Sequence, residues 1–217
     1  MDWFPLWLSI QVSLVATVVT VVVGIPTAWW LSRRPSAPRD LIGVAIMMPI
    51  VLPPTVLGYY LLLVIGRQGP VGRMFEAAGL ELAFTWRAAV LAAALGSFPL
   101  LVRAAQAGFE SVDRQLEDAA RTLGRYEWRV FSSVTLPLAW RSVAAGIGLA
   151  FCRAFGDFGI TLMVAGNIPG KTQTLPLAIY DHVQANAMRE ANTLAVVSVA
   201  VALTGLLAAS RFVRLRY

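Results

Sequence analysis

Residues 118–137 read DAARTLGRYEWRVFSSVTLP, a polar, arginine-rich stretch in a chain that is otherwise strongly apolar. Of the 217 residues, 58% are hydrophobic and 14% are charged, whereas ordinary soluble domains contain about 25% charged residues. Long apolar runs lie on both sides of the stretch. The stretch therefore connects two hydrophobic segments and is not part of either. The structure that the hydrophobic segments adopt determines the class of fold.

Five apolar runs are long enough to cross a bilayer as helices, which takes about 20 residues each. Because a spanning segment must satisfy its own backbone hydrogen bonds, helices are favoured over open strands. The sequence therefore predicts an all-α, polytopic membrane protein in which residues 1–217 form a single transmembrane domain. A short amphipathic segment, LPLAIYDHV within 166–190, allows a sixth, partial crossing. The five runs lie at about 6–31, 41–65, 88–108, 142–165 and 191–212.

The basic residues are distributed unequally between the two sides that five spans would create. Cytoplasmic loops of membrane proteins are enriched in Lys and Arg, so we expect the richer side to be cytoplasmic, the N-terminus outside and the C-terminus inside. This distribution accounts for the net charge of +6 without a nucleic-acid partner. The richer side has twelve such residues: Arg33, Arg34, Arg39, Arg103, Arg114, Arg121, Arg125, Arg129, Arg141, Arg211, Arg214 and Arg216. The other side has five: Arg67, Arg73, Arg87, Lys171 and Arg189.

Residues that commonly carry chemistry are scarce in this sequence. His182 is the only histidine and Cys152 the only cysteine, and there is no CxxC, HExxH or GxSxG motif. An intramembrane enzyme would need a nucleophile with its base, or a metal set, within the spans. The chain also lacks a GxxxxGK(S/T) phosphate-binding loop. We therefore expect a non-catalytic chain with no metal or cofactor of its own.

The opening stretch has the pattern of two short helices joined by a turn. Residues 116–123 can form the first helix, and Gly124 offers the backbone freedom for a turn. Residues 126–134 can form the second, with Trp128, Phe131 and Val134 approximately on one face, before Leu136-Pro137 ends it and leads into the fourth span. An amphipathic element of this kind should pack against either the bilayer surface or a partner protein.

The spacing in this stretch resembles a cytoplasmic loop of the permease subunits of ABC importers, which reads E-A-A, three residues, G, nine residues, I, one residue, L-P. Here Asp118-Ala119-Ala120 is followed at the same intervals by Gly124, Val134 and Leu136-Pro137, and Glu117 offers a second carboxylate for the first position. The resemblance implies a coupling loop at about 110–141, whose helix docks into a groove of an ATP-hydrolysing subunit. Arg121, Arg125 and Arg129 could then pair with acidic residues of that groove. The residues assigned to coupling are Glu117, Asp118, Ala119, Ala120, Arg121, Gly124, Trp128, Leu136 and Pro137.

Residues 48–63, 84–104, 119–138 and 155–181 are similar to the molybdate transport permeases, which are close to the sulfate permeases. That resemblance implies a homodimer in the bacterial cytoplasmic membrane that translocates molybdate by alternating access. It also implies two ATP-binding subunits, which hold the ATP and Mg, and an external molybdate-binding protein. Sulfate and tungstate are alternative substrates. An ion-gradient-driven secondary transporter is a further alternative, but it leaves the spacing in 118–137 unexplained.

Two features within the spans are candidates for a translocation pathway. The second span contains Pro49, Pro53 and Pro54, which must kink or break a helix; irregular backbone at this depth is either buried by neighbouring helices or lines a water-filled route. In the fourth span, Arg153 and Asp157 have helical i, i+4 spacing. They could form a self-neutralising pair, or Arg153 could lend positive potential to the route of an oxyanion. The pathway or gate candidates are Pro49, Pro53, Pro54, Thr55, Gly58, Arg153, Gly156 and Asp157.

Overall fold

The computed structural model describes residues 2–33 and 36–214, and the elements within these ranges are helices. One five-residue π-helical turn, Phe131–Thr135, connects the seventh helix to the eighth. In chain order the helices are α1 (Phe4–Leu31), α2 (Ala37–Val51), α3 (Pro54–Ile65), α4 (Pro70–Ala77), α5 (Trp86–Glu110), α6 (Arg114–Thr122), α7 (Glu127–Val130), α8 (Leu136–Phe155), α9 (Gly159–Ala165), α10 (Leu175–Gln184) and α11 (Met188–Arg214).

Within the described residues, four helices are long and apolar enough to cross a membrane. They are α1, α5, the continuous helix Glu127–Phe155 and the part of α11 over Met188–Ala208. A fifth crossing is available if α2 and α3, which are bent by 113° at the break between them, form one interrupted span. The predicted all-α class is therefore confirmed, and the described residues provide four spans, or five if α2 and α3 count as one. The helix predicted at LPLAIYDHV is α10, whose ten residues are too few to cross.

Helix α5 occupies the centre of the bundle and packs against α1 and α8. Its buried face is rich in alanine, and small residues let the helices approach closely. A Cβ atom added to Gly146 of α8 would lie 2.8 Å from the Ala104 Cβ, and one added to Gly108 would lie 2.5 Å from the Ser142 Cβ. The close approach of α5 and α8 therefore depends on these two glycines.

The fourth span differs from the predicted range of 142–165. It begins as part of the helix at Glu127 and ends at Phe155, and α9 is a separate helix. Gly156 caps α8 through its backbone N–H, and Phe158 precedes α9 with a non-helical φ of −124°. The apolar composition continues through Ile160 and Leu162, so hydropathy alone did not reveal the interruption.

The prediction that Leu136-Pro137 ends a helix was wrong. The chain remains helical from Glu127 through the π turn into α8. The Leu136 N–H donates to the carbonyl of Phe131, five residues earlier. Pro137 follows the π turn directly, at the start of α8, so the helix passes the proline through a locally widened turn. Sequence reasoning also missed α4, whose eight residues follow Gly69 between the third and fifth helices.

The close contact at Gly146 predicts a specific sensitivity to one methyl group. Gly146→Ala should lower the stability of the protein in detergent by about 1–3 kcal/mol, because the added Cβ overpacks the interface with α5. Gly43→Ala in α2 is the matched control, since its added Cβ has no neighbour within 4 Å. Thermal unfolding followed by tryptophan fluorescence measures both. Equal midpoints for the two variants would contradict the close packing of α5 and α8.

Candidate functional site

The α6–α7 segment (residues 114–130) has well-defined ends and a defined turn. Asp113 precedes α6, and its side chain accepts a hydrogen bond of 2.9 Å from the Gln115 N–H, a normal N-terminal cap. Gly124 has a φ of +77°, and its N–H donates to the carbonyl of Arg121. The predicted turn is therefore present at Gly124, in a backbone conformation that favours glycine.

An ionic cluster, formed by Arg33, Glu117, Arg121 and Glu127, fixes the two helices of this segment relative to each other. The Arg121 guanidinium donates to Glu127 over 2.7 Å and to Glu117 over 3.3 Å. It also donates to Asp118 over 2.5 Å. The bonds to Glu127, followed by those to Asp118 and Glu117, raise the pKa of Arg121 above its usual range. Arg121 thus forms ion pairs within its own chain, whereas the sequence indicated that it could pair with acidic residues of a partner.

The two adjacent carboxylates of α6 point in different directions. The Glu117 side chain is 12% exposed and accepts a hydrogen bond from the Thr135 hydroxyl, which the π turn places beside it. The Asp118 side chain is 68% exposed. Ala120 is buried and Ala119 is exposed. Of the two candidates for the first position of the loop motif, Glu117 therefore holds the segment together, and Asp118 faces outward.

Beneath the ionic cluster lies a group of aromatic rings centred on Phe131. The ring centroid of Phe131 is 4.9 Å from Trp29, 5.7 Å from Phe109 and 5.6 Å from Trp128. These contacts join α1, α5 and α7 at one level. Phe131 is buried, whereas Trp128 is 69% exposed. The predicted common face of Trp128, Phe131 and Val134 is therefore not the buried one.

The buried side of this region instead consists of Val130, Phe131 and Thr135. Contacts with other helices select this face, because Phe131 packs against Trp29 of α1 and Phe109 of α5. Regular helical spacing therefore could not predict which side chains point inward. Leu136 is partly buried and Pro137 is exposed.

The outer side of the turn carries three large apolar residues, here named the turn patch: Leu123, Tyr126 and Trp128. They are 80%, 82% and 69% exposed. Sequence analysis included only Trp128 and missed Leu123 and Tyr126. The available signal was the presence of large apolar residues next to a glycine turn in an otherwise charged loop. Exposed apolar groups of this kind mark contact sites.

The second candidate region contains the break in the second span. α2 ends at Val51 after including Pro49, and α3 begins at Pro54. Leu52 and Pro53, between them, have extended backbone angles. The predicted interruption at these prolines is present. Thr55 is exposed in the first turn of α3.

The break between α2 and α3 packs beside the break between α8 and α9. A Cβ added to Gly159 would lie 2.7 Å from the Pro54 Cβ, and one added to Gly58 would lie 2.7 Å from the Met163 Cβ. These contacts hold α3 directly against α9, and α9 also packs on α5. Two interrupted helices thus meet within the apolar part of the bundle.

Arg153 and Asp157 meet at this second break. Arg153 Nη1 lies 3.0 Å from Asp157 Oδ1, although Asp157 is in the break and not on the same helix. The other carboxylate oxygen accepts hydrogen bonds from the Thr161 N–H at 3.0 Å and the Thr161 hydroxyl at 2.7 Å. Asp157 therefore pairs with the end of α8 and caps α9 at once. Its side chain is 2% exposed, whereas that of Arg153 is 33% exposed.

Among residues 2–33 and 36–214, no three His, Cys, Asp or Glu side chains are grouped so that they could hold a metal ion. His182 lies in the last turn of α10. Cys152 lies in α8, where its thiol is 3.8 Å from the carbonyl of Ala202 in α11.

Solved structures of ABC transporters have the same fold. An inward-facing methionine ABC transporter matches with a TM-score of 0.74 and 17% identity, covering 99% of this chain and 98% of that one. An amino acid ABC transporter matches with a TM-score of 0.63 and 21% identity, covering 95% and 89%. The fold is therefore that of an ABC transporter's membrane-spanning subunit.

Sequence comparison gives the family. Residues 20–215 match the model of the binding-protein-dependent transport system inner membrane component, and the chain belongs to that family. It is 44% identical over 208 residues to the molybdenum transport system permease protein ModB of Escherichia coli K12, covering 95% of this chain and 91% of the relative. It is 42% identical over 184 residues to ModB of Haemophilus influenzae, covering 84% and 80%. A probable sulfate transport system permease protein of Chlorokybus atmophyticus is 36% identical over 176 residues, covering 81% and 62%.

The contacts of Asp157 predict a large cost for its removal. Asp157→Ala should lower stability by about 3 kcal/mol, because it leaves the partly exposed guanidinium of Arg153 and two buried donors of Thr161 without their acceptor. Asp113→Ala, which removes an exposed cap of α6, should cost about 1 kcal/mol. Thermal unfolding compares the two, and hydrogen exchange at the Thr161 amide should accelerate only in Asp157→Ala. Similar losses in both variants would contradict the double role of Asp157.

Proposed function

We propose that this chain is the permease subunit of an ABC importer that carries molybdate. The observation that carries the proposal is the α6–Gly124–α7 segment: a braced pair of short helices that presents an apolar turn patch beyond a bundle of membrane-spanning helices. Membership of the binding-protein-dependent family and likeness to molybdenum permeases over 95% of the chain support this assignment. Sulfate and tungstate are the alternatives with the nearest chemistry.

The α6–α7 segment is the part that would dock on the ATP-hydrolysing partner. The turn patch would enter an apolar groove, and the exposed carboxylate of Asp118 would meet a basic group at its edge. The ionic cluster would keep the segment rigid, because Arg121 bonds to both helices. Movement of the partner on binding ATP would then displace the segment as one unit and pull on α5 and α8, to which it is joined.

The paired breaks in the helices would form the gate. Irregular backbone at membrane depth is tolerated where it is buried in protein or lines a water-filled route, and Arg153 would attract a passing oxyanion by its partly exposed charge. Two copies of the chain would enclose this route between them. Helices α2 and α3, which have few buried residues, would supply much of the contact between the copies.

The chain is an inner membrane protein by its family and its apolar helices. The arginine-rich side, with the α6–α7 segment, would face the cytoplasm, placing the N-terminus outside and the C-terminus inside. The chain itself would be non-catalytic and without a cofactor, with ATP and Mg bound by two copies of the partner. A substrate-binding protein would deliver the oxyanion from outside.

Gly124 provides a test of the docking segment. Gly124→Val should lower ATP-driven uptake by roughly tenfold and leave the protein inserted, because about 1–2 kcal/mol of backbone strain would displace the turn. Gly79→Val is the matched control, since Gly79 has a φ of +73° and, like Gly124, no neighbour within 4 Å of an added Cβ. Uptake into vesicles and copurification with the ATPase measure both variants. Normal uptake by Gly124→Val would count against docking through this turn.

Arg153 provides a test of the pathway. Arg153→Gln should reduce molybdate uptake by about tenfold while the complex still hydrolyses ATP, because the route would lose its partly exposed positive charge. Arg153→Lys should retain more uptake than Arg153→Gln. Arg67→Gln, which removes the exposed partner of Glu81, controls for the loss of an arginine in an ion pair. Unchanged uptake by Arg153→Gln would leave its bond to Asp157 as a structural pair only.

The proposed function as a whole is tested by reconstitution with the ATPase and the binding protein, followed by uptake of molybdate with and without excess sulfate. ATP-dependent uptake that persists in sulfate is the expected result. Uptake abolished by sulfate would assign the protein to sulfate transport. Uptake that is independent of ATP and follows an ion gradient would indicate a secondary transporter and contradict the proposal.

A further inference from the structure

Arg33 lies directly after the residue that caps α1 and joins that helix to the α6–α7 segment. Its guanidinium lies over the Trp29 ring, 4.5 Å from the centroid. One of its nitrogens is 2.8 Å from Glu127 at the start of α7, and the other is 3.9 Å from Glu117 in α6. Arg33 thus contacts both short helices from the end of a different span.

These contacts are additional to the covalent connections of the segment. The chain itself attaches the α6–α7 segment to α5 and α8. Arg33 instead follows the C-terminal cap of α1 and precedes α2 in sequence. Each carboxylate of the ionic cluster lies between two arginines, because Glu117 and Glu127 pair with Arg121 as well as with Arg33. The four side chains of the ionic cluster line a cleft of about 590 Å³. The Arg33 side chain is therefore 27% exposed and is not buried in the core.

We propose that Arg33 is a positioning residue that clamps the α6–α7 segment to the end of α1, so that displacement of the segment reaches α1 and the broken span formed by α2 and α3. The inference rests on the proposed function, because the docked ATPase would start the displacement. Without the clamp, the segment would keep its covalent links to α5 and α8 and the contact of Phe131 with Trp29 of α1, but it would lose its ionic contact with the end of α1.

The clamp would deliver movement to both sides of the paired breaks. One route runs along α8 to the break at Gly156, next to Arg153 and Asp157. The other runs from Arg33 through α1 to α2, which packs against α1 and α5, and on to the break before Pro54. The two breaks touch where Pro54 meets Gly159. Displacing both sides together would keep the opening of this contact in step with ATP hydrolysis.

The experiment measures the number of ATP molecules hydrolysed per molybdate transported by the reconstituted complex. Arg33→Ala should raise this ratio by about fivefold, the change that corresponds to roughly 1 kcal/mol for one partly exposed ion pair. Arg33→Lys can still pair with Glu127 and should stay close to the wild-type ratio. Glu127→Ala should raise the ratio as well. Adding Arg33→Ala to Glu127→Ala should then change it little, because the close partner of Arg33 is already absent.

Arg103→Ala is the control, since it also removes one arginine from the side expected to be cytoplasmic. Arg103 donates a hydrogen bond to Gln106 of its own helix and so does not join two helices through that bond. A wild-type ratio in Arg33→Ala would overturn the inference, as would a full further fivefold increase in the double variant. If Arg33→Ala does not assemble, Arg33→Gln takes its place, because this variant keeps a hydrogen-bond donor and loses the charge. A wild-type ratio, or a full further increase in the double variant with Glu127→Ala, would again overturn the inference. A wild-type complex without ATP-dependent uptake would remove the proposed function and this inference with it.

Discussion

The close packing of α5 against α1 and α8 is the constraint on which the rest of the structure depends. Between helices in lipid, water supplies no hydrophobic driving force, so van der Waals contact and small residues must hold them together. Alanines of α5 and the glycines at 108 and 146 provide that contact. It sets the distance between the ends of α5 and α8, and therefore the place from which the α6–α7 segment projects. The aromatic contacts of Phe131 with Trp29 and Phe109 then fix the level of that segment against the bundle.

Electrostatics at the two sites follow from their surroundings. The ionic cluster lies at the edge of the protein, where each pair is worth about 1 kcal/mol or less but several acting together hold one geometry. The pair of Arg153 and Asp157 lies among apolar helices, where an unpaired charge is costly and the carboxylate makes three hydrogen bonds. Hence the ionic cluster keeps the α6–α7 segment in one geometry, and the contacts of Asp157 hold the end of α8 against the start of α9.

Composition and spacing predicted the class of fold, the five apolar segments, the turn at Gly124 and the interruption at Pro53-Pro54, because each depends on local chemistry. The break at 156–158 was not predicted, since apolar residues continue on both sides of it. The burial of Val130 and Phe131 and the exposure of Trp128 follow from packing against α1 and α5, which the spacing within 126–134 does not contain. Similarly, Glu117 and not Asp118 faces inward because it meets Thr135 and Arg33, which are distant in sequence. The sequence therefore located the sites but could not identify the contacts that position their side chains.

The central claim is that the α6–α7 segment is seated in an ATP-hydrolysing partner through its turn patch. Its most direct test is photo-crosslinking from a probe placed at Tyr126, which is 82% exposed, in the assembled transporter. The account predicts a crosslink to the ATPase subunit, and none from a probe at Val183, an exposed residue on α10 outside the segment. Crosslinking of Tyr126 to lipid alone, with the ATPase present and active, would contradict the account and place the segment on the membrane surface.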